Sequence, residues 1–155
     1  MSYSKNSIWI DYEFKSYYKD GKQSGLRLHF NKEINNKVRA EIESLFLWIR
    51  KRYFFPLRCE VFLLNQKKFR SKVQHQFCQG IFFAPNESKN LRTPHIYIAV
   101  DIEVSDLCFT VFHELTHYYQ WYFLENENRS DRSLEIEANK YARWLINEYL
   151  KKVTC

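Results

Sequence analysis

Residues 105–124 read SDLCFTVFHELTHYYQWYFL, and this stretch decides how the rest of the chain is read. On a helix, at about 100° per residue, Leu107, Cys108, Val111, Phe112, Leu115 and Tyr118 fall on one apolar face. Thr110, His113, Glu114 and His117 share the neighbouring face, with Trp121 one turn on. An amphipathic helix with a separate reactive stripe is what lines a cleft. Asp101 or Ser105 can cap its start, and the polar run 125–130 ends it.

Working outward, a third helix is predicted from about Ser133 to Lys151, with Leu134, Ala138, Tyr141, Ala142, Leu145 and Tyr149 as its apolar stripe. Upstream, Leu57 to Leu64, Gly80 to Ala84 and His95 to Val100 read as strands, with a basic loop through Lys72 after the first. Asn31 can cap a long first helix on which Ile34, Val38, Ile42, Leu45, Ile49 and Tyr53 recur at spacings of three and four, and Pro56 stops it. Ile8 to Tyr18 alternates loosely, Lys19-Asp20-Gly21-Lys22 supplies turn chemistry and Gly25 to Phe30 resumes an extended pattern, which predicts an N-terminal hairpin. Strands first and two helices last give an α+β fold with a mixed or antiparallel sheet. At 155 residues the chain is one domain by the usual size of about 100–200 residues. Only three Gly and three Pro argue against a disordered chain or an all-β fold built on frequent turns.

The net charge of +6 is unevenly spread. Residues 1–92 carry 18 Lys/Arg against 8 Asp/Glu, whereas residues 93–155 carry 6 against 10. A basic first half can attract nucleic acid or an acidic protein, or simply present a solvated surface. No apolar run approaches the roughly 18–20 residues that cross a bilayer, so no membrane partner is expected. Cys59, Cys78, Cys108 and Cys155 are scattered with no CxxC pair, and residues 1–22 show no signal-peptide apolar run; free thiols in the cytoplasm are expected.

His113-Glu114-x-x-His117 is the HExxH pattern. Positions i and i+4 lie one above the other on a helix, so two imidazoles can grip one Zn²⁺, while Glu114 on the adjoining flank can act on water without ligating. With five histidines in the chain, random order yields about 0.01 such matches. A catalytic zinc needs at least one further protein ligand and an open position. No histidine follows His117, and the third helix offers Glu135 and Glu137, which flank its apolar stripe on opposite sides. Periodicity alone does not choose between them.

Phe109-Thr110-x-x-His113-Glu114-Leu115-x-His117, followed after a short break by Glu135-x-Glu137-Ala138-Asn139-x-Tyr141-Ala142, resembles the gluzincin metallopeptidases. Within them it is most similar to the small ImmA/IrrE-type enzymes and their minigluzincin relatives. The likeness covers residues 95–146, with Ile96-Tyr97-Ile98 standing where that family has its edge strand. The resemblance implies a small zincin-like domain, the carboxylate before Ala138-Asn139 as third ligand, hence Glu137, and a bound Zn²⁺ held with His113 and His117. It implies Glu114 as general base in hydrolysis of a peptide bond of an intracellular protein. The chain departs from the family pattern at Thr116, where Gly is usual, and residues 1–92 carry no motif of the family.

His95 and Tyr141 are candidates to stabilise the transition state. Two other readings compete. One is a zinc-stabilised, non-catalytic binding module using the basic half. The other is a DNA-associated SprT-like peptidase, whose metal site uses a later third histidine that this chain lacks.

Overall fold

The computed structural model describes residues 25–53, 55–70, 77–85, 91–124 and 129–154. The expected strand 8–18 of the N-terminal hairpin lies outside them. Its other half is β1 (Leu26–Phe30), entered through Gly25 at φ 95°, a left-handed conformation that glycine adopts without strain. Helix α1 (Asn36–Arg52) returns the chain to β2 (Cys59–Leu64), which pairs with β1 in parallel, Leu28 opposite Val61. β6 (His95–Ala99) lies parallel on the far side of β2, and β5 (Gly80–Phe83) pairs with it antiparallel, Phe82 opposite Ile96. The sheet order is β1-β2-β6-β5, so the sheet is mixed and the fold is α+β. A two-stranded ribbon of β3 (Phe69–Arg70) and β4 (Phe77–Cys78) stands where a loop was expected.

One helix boundary differs from expectation for a local reason. Asn35, not Asn31, caps α1, its Oδ1 accepting from the Val38 N–H at 2.8 Å. The Asn31 side chain instead accepts from the Glu33 N–H and closes a separate turn before the helix. The family-derived edge strand is also corrected. Ile96-Tyr97-Ile98 lie in β6, which has β2 on one side and β5 on the other, and the edge strand beside it is β5.

Helices α2 (Val104–Leu124) and α3 (Asp131–Thr154) pack on each other and, with α1, on one face of the sheet. Strand alternation turns Cys59, Val61, Leu63, Ile96 and Ile98 into that core. α1 contributes Ile42, Leu45, Phe46, Trp48 and Ile49. Trp48 ties the helices together, with its ring edge-on to Phe112 of α2 and Tyr149 of α3. The Tyr118 hydroxyl accepts from the Leu57 N–H at 2.9 Å and donates to the Leu57 carbonyl, pinning α2 to the entry of β2. No helix among the described residues is long and apolar enough to cross a membrane.

Candidate metal centre

α2 is buried far more completely than an amphipathic surface helix. Between Leu107 and Gln120 every residue is buried except Phe109, His113 and His117. Those three recur at i, i+4, so the helix has a single open line and both histidines stand on it. The stripe expected from the sequence is therefore divided. Thr110 and Glu114 turn under β5, where Gly80 leaves room for them: a Cβ there would lie 2.5 Å from Thr110 Cγ2 and 3.0 Å from Glu114 Cγ.

His113 Nε2 and His117 Nε2 are 3.1 Å apart. Glu135 meets both from α3, its Oε1 2.8 Å from His117 Nε2 and its Oε2 3.2 Å from His113 Nε2. One ligand atom from each of the three lies within 4.8 Å of the others. Each histidine side chain is only 16% exposed, whereas Glu135 is 56% exposed, so the cluster is closed from the core and open to solvent on the α3 side.

Glu137, expected as the third ligand, is not among them. Its Oε1 accepts from Gln120 Nε2 at 2.9 Å and from Arg129 Nη1 at 3.1 Å. Residues 135 and 137 are some 200° apart around a helix. α3 buries Ala138, Tyr141, Ala142 and Leu145, and its packing on α2 brings the Glu135 flank over the histidines and the Glu137 flank to Gln120. The two transition-state candidates are also placed elsewhere. His95 lies on the sheet face away from the helices, its ring beside Phe62 and Tyr97, and Tyr141 is buried in the core.

The electrostatics follow from burial and neighbours. Burial raises the pKa of Glu114, partly opposed by the charges of His117 and His113. The Glu135 carboxyl is held well below the usual carboxylate range by hydrogen bonds with His113 and His117. For His117, burial alone lowers the pKa, but the hydrogen bond with Glu135, the charges of Glu114 and Glu135, and Gln120 outweigh it and the net shift is upward.

Three lone-pair-bearing atoms, two imidazole nitrogens and a carboxylate oxygen, converge on one point, which requires a cation or shared protons between them. Two further polar atoms beside it, His113 Nδ1 and Glu114 Oε2, are buried without a hydrogen-bond partner among the described residues. Two imidazole nitrogens and a carboxylate oxygen with an open side form a donor set that can hold a metal ion. The residues fit.

Sequence reasoning missed Gln120, Arg129 and Gly80. Gln120 stands at i+3 from His117, a spacing that puts it within reach of the imidazole, but a buried glutamine in an aromatic run gave no signal by itself. An open cleft of about 950 Å³ lies at the start of α2 between Lys67, Lys68, Phe77, Cys78, Asp101 and Asp106, and neither histidine lines it. Its link to the site is Cys78, whose thiol is pushed up by burial and by the charge of Glu114. Cys59, Cys78 and Cys108 are free, and Cys155 lies outside the described residues. Comparison with protein-family models, with curated proteins and with solved structures found no match.

Proposed function

We propose that the chain is a zinc metallopeptidase of gluzincin type, with the metal held by His113, His117 and Glu135 and with Glu114 as general base. The observation that carries the reading is the convergence of Glu135 from α3 on His113 and His117, which stand on the open line of α2, with the buried Glu114 Oε2 beside them unpartnered among the described residues. The HExxH spacing independently supports the roles of His113, His117 and Glu114.

When bound, a divalent metal would polarise the scissile carbonyl and make water a better nucleophile near neutral pH. The protein's own residues do the rest. Glu114 is buried beneath β5 and raised in pKa, which makes its carboxylate a better proton acceptor than a solvated glutamate. It takes a proton from the attacking water and passes it to the leaving amine. Glu135, ionised and exposed on one side, neutralises the cation while leaving that side free for a peptide. The substrate in this reading is a peptide segment of an intracellular protein, and the excess of basic residues before position 93 suits an acidic or nucleic-acid partner.

The test is metal analysis of untagged protein together with a search for cleavage. Wild type should carry one zinc per chain, and His113→Ala and His117→Ala should lose it. Glu114→Gln should keep both zinc and fold, while new peptide termini generated by wild type from a peptide library should fall by about 10²–10⁴ in rate. Stoichiometric zinc in both histidine variants would refute the site, and identical cleavage by wild type and Glu114→Gln would refute the base.

A further inference from the structure

We infer that Gln120 fixes the tautomer of His117, and that Glu137 and Arg129 hold the Gln120 amide in the one orientation that does so. The consequence for metal binding rests on the metal centre proposed above; the tautomer itself does not.

The donors and acceptors around Gln120 admit one arrangement. Gln120 is 3% exposed, so its amide has no bulk water to turn to. Its Nε2 lies 2.9 Å from the Leu134 carbonyl oxygen and 2.9 Å from Glu137 Oε1. A carbonyl can only accept, and so can a carboxylate paired with a guanidinium, as Glu137 is with Arg129 at 3.1 Å. The amide NH₂ must therefore face these two atoms, because a flipped amide would set its oxygen against two acceptors. That leaves Gln120 Oε1 facing His117 Nδ1 at 2.8 Å, where the imidazole must donate. A proton on Nδ1 leaves Nε2, the atom that meets His113 and Glu135, free for a metal ion. Without one, Glu135 Oε1 at 2.8 Å competes for a proton on Nε2, and Gln120 is what holds the neutral ring in the Nδ1–H form.

Arg129 is itself anchored. Its Nη2 donates to Ser133 Oγ at 2.8 Å and to the Ser133 carbonyl at 3.3 Å, in the first turn of α3. The chain of contacts thus runs from the start of α3, through Arg129 and Glu137, to Gln120 and His117. His113 has no counterpart: its Nδ1 is unpartnered among the described residues, and its ring stacks on Phe109. Glu137, which the Glu-Ala-Asn pattern suggested as a ligand, is on this reading a positioning residue for the ligand His117. Partners of this kind typically change metal affinity by about 10–100-fold.

The experiment is ¹⁵N NMR of the histidine rings in the full chain, stripped of metal with a chelator, at a pH where the ring shifts show neutral imidazoles. Wild-type His117 should carry its proton on Nδ1. Gln120→Leu should shift His117 toward the Nε2–H form without moving His113, and Glu137→Ala should do so in part. Zinc affinity, read by chelator competition, should fall about 10–100-fold in Gln120→Leu. A wild-type His117 protonated on Nε2, or an unchanged Nδ1–H form in folded Gln120→Leu, would overturn the inference. Should Gln120→Leu fail to fold, the wild-type spectrum and Glu137→Ala carry the test. An Nδ1–H tautomer in a protein that binds no zinc would uphold the role of Gln120 and remove the metal reading instead.

Discussion

Gly80→Ala should destabilise the protein and disable Glu114 together, and the effect should be relieved by removing one methyl group elsewhere. Gly80 has no positive φ, so its backbone does not require glycine. What requires it is space. A Cβ at this position would stand 2.5 Å from Thr110 Cγ2, 3.0 Å from Glu114 Cγ and 3.5 Å from Glu114 Cδ. Carbon atoms pack at about 3.5–4.0 Å, so the added methyl overlaps one buried side chain heavily and crowds a second. Thr110 cannot easily turn away, because its Oγ1 donates to the Asp106 carbonyl at 2.8 Å and the residue is 8% exposed. Overpacking of this kind costs about 1–3 kcal/mol. At about 2–4 °C per kcal/mol for a chain of this size, the expected fall in Tm is about 2–12 °C. If Glu114 is the proposed general base, displacing it by even about 1 Å can cost 10²-fold in rate, so cleavage should fall more than stability explains.

Thr110→Ser removes the offending Cγ2 and keeps the hydroxyl. Alone it should cost about 0.8 kcal/mol, the loss of one buried methyl. Combined with Gly80→Ala it should give a double variant more stable than additivity predicts, with a coupling of about 0.5–3 kcal/mol. The assay is thermal and urea unfolding of the four proteins, with cleavage rates measured alongside. Wild-type stability in Gly80→Ala, or strict additivity in the double variant, would show that β5 and α2 are not packed as described.

The remaining predictions concern ligand choice and thiols. In chelator competition, Glu135→Ala should lower zinc affinity more than Glu137→Ala, whose effect should stay near the 10–100-fold of an outer partner; the opposite order would return the ligand to Glu137. Burial and neighbouring glutamates push the Cys59 thiol far up and the Cys108 thiol up to about 11. Alkylation near pH 8 should therefore leave both unmodified in the folded protein, as peptide mapping would show. Because these thiols hold their protons more tightly when folded, their contribution to stability is complete below the unfolded pKa of about 8.5 and is lost as pH rises towards about 11. Labelling of Cys59 or Cys108 at the rate of a free thiol, or stability that does not fall through that window, would contradict the burial.

The helices and strands were legible because their periodicities are strong. Ile42, Leu45 and Ile49 on α1 and Ala138, Tyr141, Ala142 and Leu145 on α3 are buried as their spacing predicts. Strand neighbours were not legible, since alternation fixes which face a residue takes but not which strand lies beside it. The placement of Ile96-Tyr97-Ile98 at an edge failed for that reason. Glu135 and Glu137 were inseparable for a related one. Each flanks the apolar stripe of α3, and only the way α3 lies against α2 decides which flank meets the histidines. Neither quantity is local in sequence.

Polar satisfaction along α2 leads to the same two residues without the motif. A buried polar atom left unpaired costs about 1–3 kcal/mol, so folded helices pair theirs. Thr110 and Thr116 each donate to the carbonyl four residues back, at 2.8 Å. Gln120 uses its amide nitrogen on Leu134 and Glu137 and its oxygen on His117. Tyr118 spends its hydroxyl on Leu57. Against this, His113 Nδ1 and Glu114 Oε2 are buried and unpartnered among the described residues, on successive positions of the same turn. Packing supplies no reason for a carboxylate at 114, because an apolar side chain of similar size would fill the space between α2 and β5 without the penalty. Such a group is explained by water, an ion or a chemical role, and Trp48 Nε1 and Arg52 Nε on α1 share the condition without neighbours of this kind. On α2 the unpartnered atoms belong to His113-Glu114, beside the point where Glu135 and His117 converge.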